Sequence, residues 1–186
     1  MIDIILKFFL YSVLGNVLEV VWNIIINKQI KSRRMLLNLP MCPVYGFGGV
    51  AMSALMTGFC DNPLIVFSVG ALLASAVELL YYLLCLAVFG VRVWDYSENR
   101  ANLMGGVCGE YTLWWGLLSV AVMLILDPIV SDIISDISSY GKTISVVFLS
   151  FVTFVDVKET CKLLYGYKIG KVAQLPDCFW YMKNYD

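Results

Sequence analysis

Three glutamates, Glu19, Glu78 and Glu110, stand inside or at the edge of long apolar runs, where a carboxylate is costly enough to need a reason. Ionised, a carboxylate only accepts hydrogen bonds; protonated, it gains a donor and stores a proton. The ionised form can hold a cation or take up a proton, and either form can hydrogen-bond a polar head group. Arg33 and Arg34 in one polar stretch, and Asp95 in another, carry charges that can fold inward to pair with the glutamates or with a ligand. Tyr45, Trp94, Tyr96 and Asn102 add hydroxyl, indole and amide groups near the same segments. The alternative for each glutamate is separate neutralisation, by protonation or by a neighbouring Asn, Tyr or Ser.

What is missing narrows the chemistry. The chain has no histidine, so histidine triads and relays are excluded, and any reaction would have to use carboxylate, Cys, Tyr or Lys. Six cysteines form no CxxC pair, so neither a metal centre nor a cofactor is expected. Cys42 between two prolines and Cys108 near Glu110 are candidate nucleophiles, but small apolar packing suits them better; both are expected as reduced thiols. No Walker A sequence occurs, so coupling to ATP requires a separate ATPase subunit. The near-zero net charge of −1 hides a strong segregation of charge along the sequence, which gives topology and does not suggest nucleic-acid binding.

The elements that position these groups are apolar helices. At 60% hydrophobic residues and a mean hydropathy of +0.80 over 186 residues, the chain has more apolar surface than one soluble core of its size can hide. The expected fold is all-α, a polytopic membrane helical bundle of about five spans, near residues 4–26, 44–60, 64–89, 107–126 and 140–157. The first span reads as retained, not as a cleaved signal peptide. Within it Asn16, Glu19 and Asn23 recur at steps of three and four, a helical stripe that should face protein. Asp127-Pro128 is expected to stop the fourth span, leaving the amphipathic run Ile129–Ile137 along the membrane surface. The transmembrane domain would take residues 1–165, and residues 166–186 would form a cytoplasmic tail with Phe179–Met182 as an interfacial anchor.

The longest polar passage, Val91–Glu110, carries Trp94, Tyr96 and two glycines, Gly105 and Gly106, and reads as a built re-entrant cap rather than a slack linker. Aromatic residues here and at Trp114 and Trp115 have bilayer anchoring as their commoner use. With five spans, eleven of the thirteen cations fall on one side and only Lys7 and Lys142 on the other. The positive-inside rule then puts the N-terminus outside and the C-terminus in the cytoplasm. Glu19, Glu78 and Glu110 share the cytoplasmic half, roughly 10 to 16 Å from the inner helix ends.

Three passages together carry a family resemblance: FFLYSVLGNVLEVVW, RRMLLNLPMCPVYGFGGV and WDYSENRANLMGGVCGEYTLWWG. In these the chain resembles the type IV ABC-transporter permease family, the CmpB-type bacterial membrane proteins. Its motif residues correspond to Glu19, Arg34, Pro40, Pro43, Tyr45, Gly46, Gly48, Glu78, Trp94, Asp95, Tyr96, Ser97, Asn102 and Gly116. Asn38-Leu39-Pro40 stands where glycine-proline is expected, and Gly106-Val107 where an arginine-isoleucine-like step is expected, which weakens an anion-binding role for that loop. The resemblance implies a small multi-pass protein of the bacterial cell membrane; with the common depth of the glutamates, the leading expectation is a permease-like component whose polar cavity, built from Glu19, Glu78, Glu110, Arg33, Arg34 and Asp95, opens to the cytoplasm. The partners this implies are the lipid bilayer, a separate ATPase subunit and a second copy of the chain. Two other readings stay open: an intramembrane enzyme acting on lipid or peptide without histidine, and a scaffold for a partner membrane protein.

Overall fold

The computed structural model describes the backbone of residues 1–186 except 32, 33, 57, 59–61, 180, 185 and 186, and the side chains of the described residues other than 27, 183 and 184. Arg33, the expected end of the second span at Cys60, and Trp180 of the expected anchor therefore lie outside the described residues. Helix dominates: α1 (Ile2–Asn27), α2 (Pro43–Met56), α3 (Pro63–Phe89), α4 (Gly109–Ala121), a π-helical turn (Val122–Leu126), α5 (Asp127–Asp136) and α6 (Ser139–Lys168). Two short strands, β1 (Val91–Arg92) and β2 (Lys183–Asn184), pair antiparallel.

Local chemistry sets the helix ends. The Asn62 side chain accepts from the Leu64 and Ile65 backbone N–H groups at 3.0 and 3.4 Å, and Pro63, which has no N–H to lose, occupies the first turn of α3. Gly90 closes the same helix at φ +67° and donates to the Leu86 carbonyl at 2.9 Å. Ser138 caps α6 by accepting from Gly141 N–H at 3.1 Å.

Among the described residues, three helical stretches are long and apolar enough to cross a membrane, Ile2–Ile26, Pro63–Phe89 and Gly109–Asp136; α2 is apolar but shorter. The last of these corrects the expected stop at Asp127-Pro128. The helix runs through the proline, because the π-turn before it moves the backbone register so that Asp127 N–H bonds the Val122 carbonyl, five residues back. Residues 129–136 thus continue the fourth helix and do not form a separate surface segment.

Packing follows the small residues. A Cβ on Gly46 would sit 2.2 Å from Ser12 Oγ, and one on Gly49 2.4 Å from the Tyr11 ring, so α1 and α2 approach as closely as they do because both positions are bare. The polar stripe of α1 faces inward as expected: Asn16 and Asn23 are buried and Glu19 half-buried. At the N-terminal end of α1, Lys7 Nζ reaches Asp127 at 2.8 Å and Ser53 Oγ at 2.7 Å, while Tyr11 also donates to Asp127. This ion pair ties α1, α2 and α5 together. Lys142 and Asp3 make a second, more exposed pair at 2.9 Å.

At the opposite end the C-terminal residues fold back onto the bundle. Phe179 and Met182 are buried in a cluster with Tyr82, Val91, Trp94 and Leu164, so they pack inside the protein instead of anchoring at an interface. Lys168 Nζ caps α3 by donating to the Val88 carbonyl at 2.8 Å. The Met35–Met41 loop is held on α6: the buried Asp156 carboxylate accepts from Leu39 N at 2.7 Å, Asn38 N at 3.1 Å and Asn38 Nδ2 at 3.0 Å. Thr160 Oγ1 takes the Leu37 N–H at 3.0 Å.

Candidate functional site

Glu78 sits near the middle of α3, only 4% exposed. Trp115 of α4 donates its indole N–H to Glu78 Oε2 at 2.8 Å, and the Tyr96 hydroxyl, from the loop after β1, donates to Oε1 at 3.2 Å. Across from it on α1, Glu19 Oε1 accepts from the Tyr45 hydroxyl of α2 at 2.8 Å. The Tyr45 and Trp115 rings meet edge to face at 5.5 Å, joining the two acid–aromatic pairs into one wall. Between them lies a cavity of about 160 Å³, closed on the loop side by Met35, Cys42, Trp94 and Tyr96.

The loop from Val91 to Cys108 is a folded cap, as its composition predicts. Tyr96 N–H bonds the Gly105 carbonyl at 2.9 Å, and Trp94 Nε1 bonds the Gly106 carbonyl at 2.7 Å. Asn102 Nδ2 donates to the carbonyls of Ser97 and Asn99 at 3.1 and 2.9 Å, fixing the turn from within. The two glycines serve different needs. Gly105 takes φ +72°, whereas a Cβ on Gly106 would lie 2.7 Å from the Tyr82 ring. Tyr96 stacks on Tyr111 of α4 at 4.6 Å and on Trp94 at 6.4 Å, and Tyr81 stacks on Trp94 at 6.4 Å. Trp94 and Tyr96 are consequently buried ring stacks and not bilayer anchors; Trp114, half exposed, meets Trp22 edge to face at 6.0 Å.

Of the residues singled out in sequence, the structure gathers Glu19, Tyr45, Glu78, Trp94 and Tyr96 around this cavity. It does not bring Glu110 there: the side chain is exposed in the first turn of α4, where the helix N-terminus and water both favour a carboxylate. Asp95 also turns outward. The Ser97 hydroxyl and backbone N–H, followed by the Arg92 guanidinium at 2.8 Å, hold its carboxyl below the usual carboxylate range. Asn102 stays within the loop, Arg34 offers its backbone carbonyl to the Tyr181 hydroxyl and does not line the cavity, and Arg33 lies outside the described residues. Trp22, Tyr111 and Trp115 line the cavity as well, and sequence reasoning misses all three as ligand-binding residues. Trp115 carries a usable cue, since aromatic donors one helix away are what a buried carboxylate needs. Cys42 and Cys108 are 1% and 2% exposed, so a thiol reagent would reach them only through opening of the fold.

Fold and site describe a mostly helical protein whose helices, three of them of membrane-spanning length and composition among the described residues, surround an acid–aromatic cavity. Residues 6–161 match the family described as "Putative ABC-transporter type IV", and the chain belongs to that family. No curated protein and no solved structure matches it.

Proposed function

We infer that this protein is the permease-like membrane component of an ABC-type transporter, in which the cavity between Glu19 and Glu78 receives the transported molecule and a separate subunit hydrolyses ATP. The observation that carries the reading is Glu78: a carboxylate buried in a membrane-length helix, held by donors from two other elements, at the wall of an open cavity. A buried acid used only for packing would have no need of the space beside it. Family membership supports coupling to ATP, and a sequence without a Walker A motif fits hydrolysis on a separate subunit.

The proposed topology has five crossings, with α2 and α6 completing the set. α6 leaves Phe148, Phe151 and Phe154 exposed at steps of three, as a lipid-facing stripe would. The cavity then lies in the cytoplasmic half, beneath the loops that close it, at the end that carries eleven of thirteen cations; the two on the other end, Lys7 and Lys142, are each paired with an aspartate. A C-terminal fluorescent fusion should be bright and a C-terminal phosphatase fusion inactive. A dark fluorescent fusion with an active phosphatase would remove both the five-span count and the cytoplasmic cavity.

Native mass spectrometry of the gently solubilised protein tests the assembly. It should show this chain, in one or two copies, bound to a subunit that hydrolyses ATP. A chain that emerges alone, or with a membrane protein that has no ATPase, would favour the scaffold reading.

A further inference from the structure

The cavity beside Glu78 does not end there. It shares Leu18, Val44, Tyr45, Glu78, Trp115 and Leu118 with a second cavity of about 310 Å³ that runs between α1, α2, α3 and α4 as far as Tyr11 and Leu126. On α1 its lining extends from Val21 to Tyr11, ten residues, or ~15 Å of helix. Beyond Glu78 and the two tyrosines, its walls are aliphatic side chains, glycine, Met52 and the Trp115 ring. A polar ligand group placed there would lose its water and gain nothing in return. Its walls suit hydrocarbon.

Gly48 marks the compartment as kept open. Gly46 and Gly49 are filled by α1, but a Cβ on Gly48, which lines the second cavity, would meet only Met52 Cε at 4.0 Å. Helix packing does not require glycine at that position. Its missing side chain adds width to the apolar run.

The polar end has complementary chemistry. Two carboxylates accept hydrogen bonds, and aromatic faces from Tyr45, Trp115 and Tyr96 surround them, so a head group that donates hydrogen bonds and carries no negative charge fits, whereas an anionic head meets two acids. We propose that the two cavities form one binding site for a single-chain amphiphile, its donor-bearing head, ammonium or hydroxyl, at Glu19 and Glu78 and its hydrocarbon chain along Gly48 toward Leu126. The inference rests on the transporter reading for the purpose of the site, but not for its occupancy.

The test places the protein in phosphatidylcholine nanodiscs and titrates it with a long-chain amine brominated along its tail, which quenches tryptophan on contact. Quenching should saturate for the parent. With the matching brominated fatty acid, or in Gly48→Leu, the apparent affinity should fall by about tenfold or more, since the first buries a carboxylate beside two others and the second fills the chain's path. Gly48→Ala, which has room for its methyl, should lose less and melt with the parent, showing that the effect comes from the groove and not from misfolding. Butylamine, with a head but hardly a tail, should compete poorly. Non-saturating quenching, equal quenching by the fatty acid, or parent-like binding by a folded Gly48→Leu would each overturn the amphiphile site. If that happens while an ATP-hydrolysing subunit still accompanies the protein, the transporter reading survives alone; if amine binding saturates and no such subunit is found, the amphiphile site stands and the transporter reading falls.

Discussion

Lys7→Met should destabilise the protein by about 3 to 5 kcal/mol, the usual range when one partner of a buried ion pair is removed and the other is left charged. The Lys7 and Asp127 side chains are only 15% and 12% exposed, and Lys7 also serves Ser53, so the deletion leaves the Asp127 charge to neutral hydroxyl partners such as Tyr11 and takes the α1–α2 link away. At about 2 to 4 °C per kcal/mol for a chain of this size, the melting temperature should drop by roughly 10 °C. Adding Asp127→Asn to Lys7→Met removes the stranded charge yet keeps an acceptor for Tyr11. The double variant should therefore recover more than half of the loss, a coupling that only directly interacting sites show. Thermal unfolding in detergent, followed for parent, both single variants and the double, measures it. Additive losses would mean that the pair is not a unit.

This pair also shows how far sequence reaches. Lys7 and Asp127 are 120 residues apart, and nothing in local spacing joins them. The polar stripe Asn16, Glu19 and Asn23 is legible because helical periodicity is itself local, and the cap after β1 is legible because Gly105 and Asn102 act on neighbours a few residues away. Counting residues sets Glu19 and Glu78 at a common depth, but their meeting through Tyr45 and Trp115 depends on which helices adjoin. Asp95 and Glu110 stand near the site in sequence; local partners, Ser97 and Arg92 for one and the helix N-terminus for the other, keep them outside it. Asp127-Pro128 misleads for a different reason, since a π-turn can absorb a proline that an α-helical register could not. Two-residue strands such as β2 have no pattern to read at all, and their pairing with β1 emerges only once the tail is folded back.

Glu78→Gln should leave the fold intact and remove the function. The glutamine carbonyl can keep the Trp115 indole N–H, which only donates, while its amide group faces Tyr96, whose hydroxyl can rotate and accept instead. Both contacts survive, so the loss of stability should stay within about 1 kcal/mol. What disappears is the negative charge and the proton site. In a transporter that reads its ligand at this carboxylate, ligand engagement and the ATP turnover coupled to it should fall by about tenfold or more, as losing one charged contact in a buried site implies. Glu78→Leu would fall as far but would also strand the Trp115 and Tyr96 donors, so it is the weaker probe. The decisive measurement is ATP hydrolysis by the complex drawn from native membranes through a tag on this chain, parent beside Glu78→Gln. The predicted result is the same subunits in both and a hydrolysis rate at least about tenfold lower in the variant; a complex without ATPase activity, or a variant that assembles and hydrolyses ATP at the parent's rate, would contradict the account.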